Sequence, residues 1–353
     1  MIQRLFDQCI ITPDNVKPSR EDFEVVGSFN PGVAEFGNAI YLLIRVAEMP
    51  KEKRDGKIAL PGVENGNIAI DWQKIDTVHI LDERLVKFKS NNLLRLTNIS
   101  HLRLAKSRDG INIDSIDEIP TIFPEEPYEE FGIEDARITP IGDRFYITYV
   151  AVSRHGIVTA LASTKDFLYF EKHGIIFPTE NKDVVIFPEK IGNNYVAFHR
   201  PLSANPFGPP EIWMAYSPDL IHWGHHYSII GSDSDWEFMK VGAGTPPVKT
   251  PEGWLEIYHY SCRADETDNV GVYYTGAALF DLDNPQRLIG KSEHPILTPE
   301  TDYERQGFLS DIVFPTGVIV KGDELFIYYG AADTYTAITK LSLQDILDDI
   351  TNL

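Results

Sequence analysis

Glu134 and Asp135 stand side by side in the run Gly132-Ile133-Glu134-Asp135-Ala136-Arg137-Ile138-Thr139, two residues from an arginine and at the start of an apolar, β-prone segment. A carboxyl group held beside a guanidinium can act as a positioned proton donor or as a ligand for sugar hydroxyls. The same residues could equally form an ion pair that ties two strands together. The strand-like Arg144-Phe145-Tyr146-Ile147-Thr148-Tyr149 follows at once.

Basic residues recur at comparable places. Arg45, Arg154, Arg200 and His259 fall at or just beyond the ends of aromatic-rich strand segments, and Lys240 leads Lys240-Val241-Gly242-Ala243-Gly244-Thr245-Pro246-Pro247. The chain carries 53 acidic against 32 basic residues, a net charge of −21, so repeated basic positions suggest a local anion site working against the general field. That field argues against nucleic acid or an anionic membrane as partner. The glycine-containing stretch lacks the Gly-Lys-Ser/Thr ending of a phosphate-binding loop and reads as a tight turn that brings backbone to a pocket. His222, His225 and His226 lack metal spacing, and no metal site is expected. The two cysteines, Cys9 and Cys262, form neither a disulfide framework nor a metal set. Charged residues stand where a signal peptide needs its apolar core, and no run reaches membrane-spanning length, so a cytoplasmic location is expected.

A repeat organises these residues. Two β-rich segments lead to a Ser/Thr-containing turn with an aspartate, clearest at Ser107-Arg108-Asp109, Thr164-Lys165-Asp166 and Ser217-Pro218-Asp219. Degenerate copies place Asp283 and Asp345, and the five aspartates are 57, 53, 64 and 62 residues apart. That period suits a four-stranded propeller blade, and five copies fill the chain. The expectation is an all-β, five-bladed β-propeller forming one domain over residues 1–353, with a single short helix near Leu341 to Ile350 capped by Ser342.

The chain resembles glycoside hydrolase family 130, the β-mannoside phosphorylases and related mannosidases. The resemblance rests on Phe29-Asn30-Pro31-Gly32 with Leu42-Leu43-Ile44-Arg45, on Gly132 to Thr139, and on Phe187-Pro188-Glu189-Lys190 with Phe198-His199-Arg200-Pro201. It continues through Ile212 to Asp219, Gly244 to Thr250 and Ser310-Asp311-Ile312-Val313-Phe314-Pro315. Where the family string has proline after Glu-Asp, this chain has Ala136, which changes backbone stiffness and no chemical group. The resemblance implies that Asp135 is the general acid, that Asn30, Arg45, Glu134 and Asp311 hold the sugar, and that Arg154, Arg200, Lys240 and His259 hold phosphate. It also implies a homo-oligomer and suggests the group acting on β-1,2-linked mannobiose or oligomannosides.

An inverting hydrolase needs a second carboxylate to activate water, whereas phosphate is already an anionic nucleophile. One acid with several cations therefore favours phosphorolysis, with inorganic phosphate as co-substrate and no cofactor. The competing readings are a β-mannosidase of the same family, for which Glu211, Asp235 and Glu237 would supply the base, a five-bladed glycosidase of the arabinanase or invertase type, and a non-catalytic sugar-binding propeller.

Overall fold

In the computed structural model, which describes residues 2–202, 207–231, 238–263 and 270–351, nearly all regular structure is β. Five antiparallel sheets follow one another along the chain. Sheet I comprises Phe23–Phe36, Ala39–Pro50, Ile99–Ser107 and Ile113–Ile116. Sheet II comprises Ile133–Ile141, Arg144–Ser153, Gly156–Thr164 and Phe170–Phe177, and sheet III Asn181–Ile186, Tyr195–Pro201, Ile212–Ser217 and Gly224–Ile230. Sheet IV is built on Phe238–Ala243, Trp254–Cys262, Val272–Phe280 and Leu288–Lys291. Sheet V holds Val313–Lys321, Glu324–Ala331 and Tyr335–Ser342, and its fourth strand is the N-terminal Phe6–Ile11, which pairs with Tyr335–Ser342. One sheet thus ties the two ends of the chain together.

Strand alternation explains how the sheets stack. On Ala39–Pro50, Leu42 and Ile44 join a core shared with Phe326, Tyr328 and Ile338 of sheet V, while Leu43 joins Ile133, Ile138 and Ile147 of sheet II. On Gly156–Thr164, Ala160 and Ala162 face sheet I, and Leu161 packs with Ile186 and Ala197 of sheet III. Further clusters join sheet III to IV through Phe198 and Phe280, and sheet IV to V through Ile257 and Ile327. Side chains that alternate across a strand cover both faces of each sheet, and each fully buried Leu, Ile or Phe contributes about 1.5–3 kcal/mol.

Three of the five repeated aspartates close the turn between the third and fourth strand of a sheet, whereas Asp345 lies within the C-terminal helix. Asp109, Asp166 and Asp219 each accept main-chain N–H groups two and three residues ahead. In sheet IV this task falls to Asp281, which takes the N–H groups of Asp283 and Asn284, so the expected Asp283 is displaced by two residues. The C-terminal helix runs Leu343–Thr351, with Ser342 Oγ accepting the Asp345 N–H at 3.0 Å. The sequence repeat did not reveal an insertion between the second and third strands of sheet I. It folds as a hairpin, Lys57–Glu64 with Asn67–Lys74, and a small sheet of Val78–Ile80, Leu85–Phe88 and Leu94–Leu96.

Candidate active site

The first strands of the sheets meet one another. Phe23–Phe36 packs against Ile133–Ile141 and Val313–Lys321, and Asn181–Ile186 packs against Ile133–Ile141 and Phe238–Ala243. The basic residues of the candidate anion site come from two tiers of strand. Lys240 is on a first strand, whereas Arg45, Arg200 and His259 are on second strands.

Three first strands share a device. Asn30, Asp135 and Asp183 have φ of 49°, 52° and 54°, and each lies where the pairing with the second strand slips. A bulge with a left-handed residue redirects its side chain, and Asn and Asp tolerate that conformation better than other side chains. All three line a single cavity of 1530 Å³.

Around Asp135 the groups interlock. Asn30 Nδ2 donates to Asp135 Oδ1 at 2.8 Å, and Arg45 donates to the same oxygen at 3.1 Å. Arg45 also donates to Glu134 Oε1 at 2.8 Å and, through Nε, to Ser100 Oγ at 3.1 Å. Burial pushes the Asp135 carboxyl up, but Arg45, Arg137 and Lys182 outweigh it and hold it below the ordinary carboxylate range.

The loop before this strand is held by a buried glutamate. Glu129 accepts the Glu125 N–H at 2.7 Å, the Tyr149 hydroxyl at 2.8 Å and Lys172 Nζ at 2.7 Å. Glu304 repeats the arrangement in sheet V, taking the Glu300 N–H, the Tyr329 hydroxyl and Arg4 Nη1, each at 2.7 Å. Gly132 then passes so close to Ser100 that a Cβ would stand 2.8 Å from its main-chain nitrogen, and its φ of 114° also demands glycine.

The second constellation surrounds Asp183, which is fully buried. Its Oδ2 accepts from Arg200 Nε at 2.7 Å and lies 3.4 Å from His259 Nε2, while Oδ1 accepts from Arg137 at 3.3 Å. Against the cost of burial, Arg200, with His259 and Arg137, holds Asp183 well below the usual range. Burial lowers His259 to about 4 despite that carboxylate, so its imidazole is neutral at pH 7 and offers an N–H rather than a charge. The run around Lys240 is a strand, not the expected turn. Its Gly242 leaves room for Asp183 and His259, whose atoms a Cβ there would overlap.

Lys240 Nζ sits 4.8 Å from the Tyr273 ring centroid, and burial together with Arg200 and Arg84 lowers its pKa to about 8. Among the described residues, neither Lys240 nor its cavity neighbour Lys182 has a carboxylate within ion-pair distance. Both line the cavity, where an ammonium group can meet an anion.

Two expected site residues are placed differently. Arg154 is largely exposed at the cavity mouth, where both arms of its guanidinium are taken by Glu130, so it stands apart from the Arg200 cluster. Asp311 does not line the cavity. Its main-chain carbonyl accepts the Tyr273 N–H at 3.0 Å, and sheet V instead presents Asp333, paired with Arg84 of the insertion at 2.9 Å. Lys182, Asp183, Tyr273, Asp333 and Arg84 were not singled out by their sequence context. Asp183 alone had a signal there: Lys182-Asp183-Val184 repeats the polar–Asp–apolar pattern of Glu134-Asp135-Ala136. Of the proposed water-activating bases, Glu211 accepts the Ser228 hydroxyl away from the cavity, and Asp235 and Glu237 lie outside the described residues. No group of three or more His, Cys, Asp or Glu side chains among the described residues is arranged to hold a metal ion, and no described helix is long and apolar enough to cross a membrane.

A family model for β-1,4-mannooligosaccharide phosphorylase, glycoside hydrolase family 130, matches residues 76–352, and the chain belongs to that family. The β-1,2-mannobiose phosphorylase of Listeria innocua is 42% identical over 99% of this chain and 98% of its own. The 1,2-β-oligomannan phosphorylase of Thermoanaerobacter sp. is 34% identical over 84% of this chain and 98% of its own. The solved structure of the Listeria innocua enzyme with β-1,2-mannobiose superposes with a TM-score of 0.91 at 40% identity, covering 98% of this chain and 97% of that one.

Proposed function

We propose that this protein is an inverting phosphorylase of β-1,2-linked mannobiose or manno-oligosaccharides, yielding α-mannose 1-phosphate and a sugar shortened by one unit. We read its five sheets as the blades of a five-bladed β-propeller that forms one catalytic unit. The full-length similarity to phosphorylases named for β-1,2-mannobiose and β-1,2-oligomannan supports the substrate class.

One observation carries the reaction type. Among the described residues the buried carboxylates of the cavity are all ion-paired: Glu134 and Asp135 with Arg45, and Asp183 with Arg200 and Arg137. A base that activates water should be an ionised carboxylate with an oxygen free to face that water rather than one committed to guanidinium partners, whereas Lys240 and Lys182, with no carboxylate within ion-pair distance among the described residues, can meet an anion. Hydrogen phosphate, oriented by Arg200, Lys240 and Lys182 with the His259 N–H behind them, attacks the anomeric carbon as the bond to the leaving oxygen breaks on the opposite face. Asp135 delivers the proton, directly or through a mannose hydroxyl. Asn30, Arg45, Glu134 and Asp333 hold the mannosyl unit.

Asp135 is a carboxylate in the unliganded site, so its proton must come with the substrates. Hydrogen phosphate brings negative charge that offsets Arg137 and Lys182, and a bound sugar removes remaining water; both raise the Asp135 pKa. The proton count closes without an outside donor. Hydrogen phosphate enters with one proton, the product ester leaves without it, and the freed sugar hydroxyl has gained one. Phosphate supplies the nucleophile, so the reaction calls for no cofactor. Cytoplasmic phosphate is a suitable source, and a homo-oligomer is the assembly expected for this family resemblance.

The test is incubation with β-1,2-mannobiose with and without phosphate. α-Mannose 1-phosphate should form only with phosphate; equal release of free mannose in both would contradict the proposal.

A further inference from the structure

The anion site contains an apparent contradiction. Arg200 is one of the cations that face the cavity, yet Asp183 already neutralises it from within the same wall. If negative charge were all the site had to recognise, a fully buried carboxylate bonded to its principal guanidinium would only weaken it. Asn, which would fit the same left-handed backbone as it does at position 30, would hold Arg200 without that cost.

We propose that Asp183 makes the site selective for a protonated oxyanion, so that it takes hydrogen phosphate or hydrogen arsenate and discriminates against sulfate. The inference rests on the phosphorylase reading above and adds the form of the co-substrate to it. Asp183 is ionised and is therefore an acceptor at both oxygens. Oδ2 is occupied by Arg200, with His259 close by, whereas among the described residues Oδ1 has the 3.3 Å contact from Arg137 and keeps acceptor capacity. Arg200 and Asp183 are bonded to one another and both line the cavity, so an oxyanion that takes the remaining Arg200 N–H groups is held beside the carboxylate. Two acceptor oxygens meeting there repel unless one carries a proton. At neutral pH phosphate supplies that proton in O–H···O⁻ geometry, and sulfate has none to give. Asp183 acts as a repulsive element against the wrong anion as much as an attractive one for the right anion. The proton counting above gives the same requirement, since the entering phosphate must be the hydrogen phosphate form.

The experiment is a set of initial rates of phosphorolysis with phosphate varied, sodium sulfate as competitor, and ionic strength held constant with chloride. In the unmodified protein the sulfate inhibition constant should exceed the phosphate KM by at least about tenfold, and arsenate should replace phosphate as co-substrate. In Asp183→Asn the side-chain amide donates where the carboxylate accepted, so sulfate should bind at least about tenfold more tightly while the phosphate KM rises. Sulfate competing within about threefold of phosphate in the unmodified protein would overturn the inference and leave phosphorolysis intact, even if the variant fails to fold. An unchanged sulfate-to-phosphate ratio in folded Asp183→Asn would overturn it as well. Turnover indifferent to phosphate would remove the phosphorylase reading and this inference together.

Discussion

Asn30 and Asp135 occupy the same place in neighbouring sheets, each at a bulge with left-handed φ, and their side chains meet in a 2.8 Å hydrogen bond. The proposed acid is therefore aimed by its own backbone and by its counterpart next door. Because Asn30 donates, and Arg45 donates to the same oxygen, one Asp135 oxygen is committed, while among the described residues the other has no hydrogen-bond donor and can face the substrate.

Replacing Asp135 with Asn should reduce turnover by roughly two to four orders of magnitude, the usual worth of a general acid. Sugar binding should survive, because the amide keeps the shape and one acceptor. Steady-state kinetics with a binding measurement on the same variant checks this; activity within a few-fold of the parent would move the acid to another group.

The cations should separate by position. Lys240→Ala and Lys182→Ala each remove an ammonium group with no carboxylate partner and should raise the phosphate KM by about ten- to a hundredfold, far more than the sugar KM. Arg154→Ala breaks a surface pair with Glu130 and should change the phosphate KM less than about threefold. Measuring both Michaelis constants for the three variants gives the answer, and a large phosphate effect at Arg154 would return that residue to the anion site.

Lys240 sets an alkaline limit. Its pKa is lowered to about 8, so it is charged below that pH and loses its charge above it. Phosphate affinity should fall as pH rises through about 8, with the sugar KM nearly flat. Lys240→Arg keeps its charge throughout this range and should remove most of the alkaline rise in phosphate KM. A phosphate KM profile that is the same in parent and variant would remove Lys240 from phosphate binding.

The two glutamate clasps should carry stability. Glu304 is fully buried and paired with Arg4, so Glu304→Ala should cost about 3–5 kcal/mol in denaturant unfolding, and Glu129→Ala, which leaves Lys172 with the more distant Glu125 and the Phe123 carbonyl, a similar amount. The lower end fits better, because Arg4 and Lys172 keep partial access to water. Despite burial, hydrogen bonds from Arg4, the Thr301 N–H and Tyr329 hold the Glu304 pKa below its ordinary value. Its stabilisation is thus complete above the unfolded pKa of about 4.3 and is lost as pH falls through the folded one. A loss under 1 kcal/mol in both variants would mean that the clasps are not structural anchors.

The chain order of the second strands was legible because apolar and aromatic residues alternate there and polar turns bound them. Asp135 drew notice because two adjacent carboxylates stand at the head of an apolar strand, an arrangement that an ion pair explains equally well, and its role as the acid came from the family resemblance. The innermost strands were harder to read. Asn181–Ile186 is six residues long and bulged, so its period is broken at the residue that matters, Asp183. Asp333 lies in a tight turn and Arg84 in an insertion, and their ion pair spans 249 residues that no local pattern connects. Arg154 follows the second strand of sheet II while Arg200 stands near the end of that of sheet III, so the two look alike in sequence, yet Glu130 one loop away pairs with Arg154 at the surface.

The central claim is that the bound anion is the nucleophile, and the reverse reaction tests it most directly. Given α-mannose 1-phosphate and mannose, the protein should build β-1,2-mannobiose and release one phosphate for each linkage formed. Asp135→Asn should suppress this together with the forward reaction, as microscopic reversibility requires. If the unmodified protein makes no disaccharide and releases no phosphate under these conditions, while cleaving β-1,2-mannobiose to free mannose in phosphate-free buffer, the account is wrong.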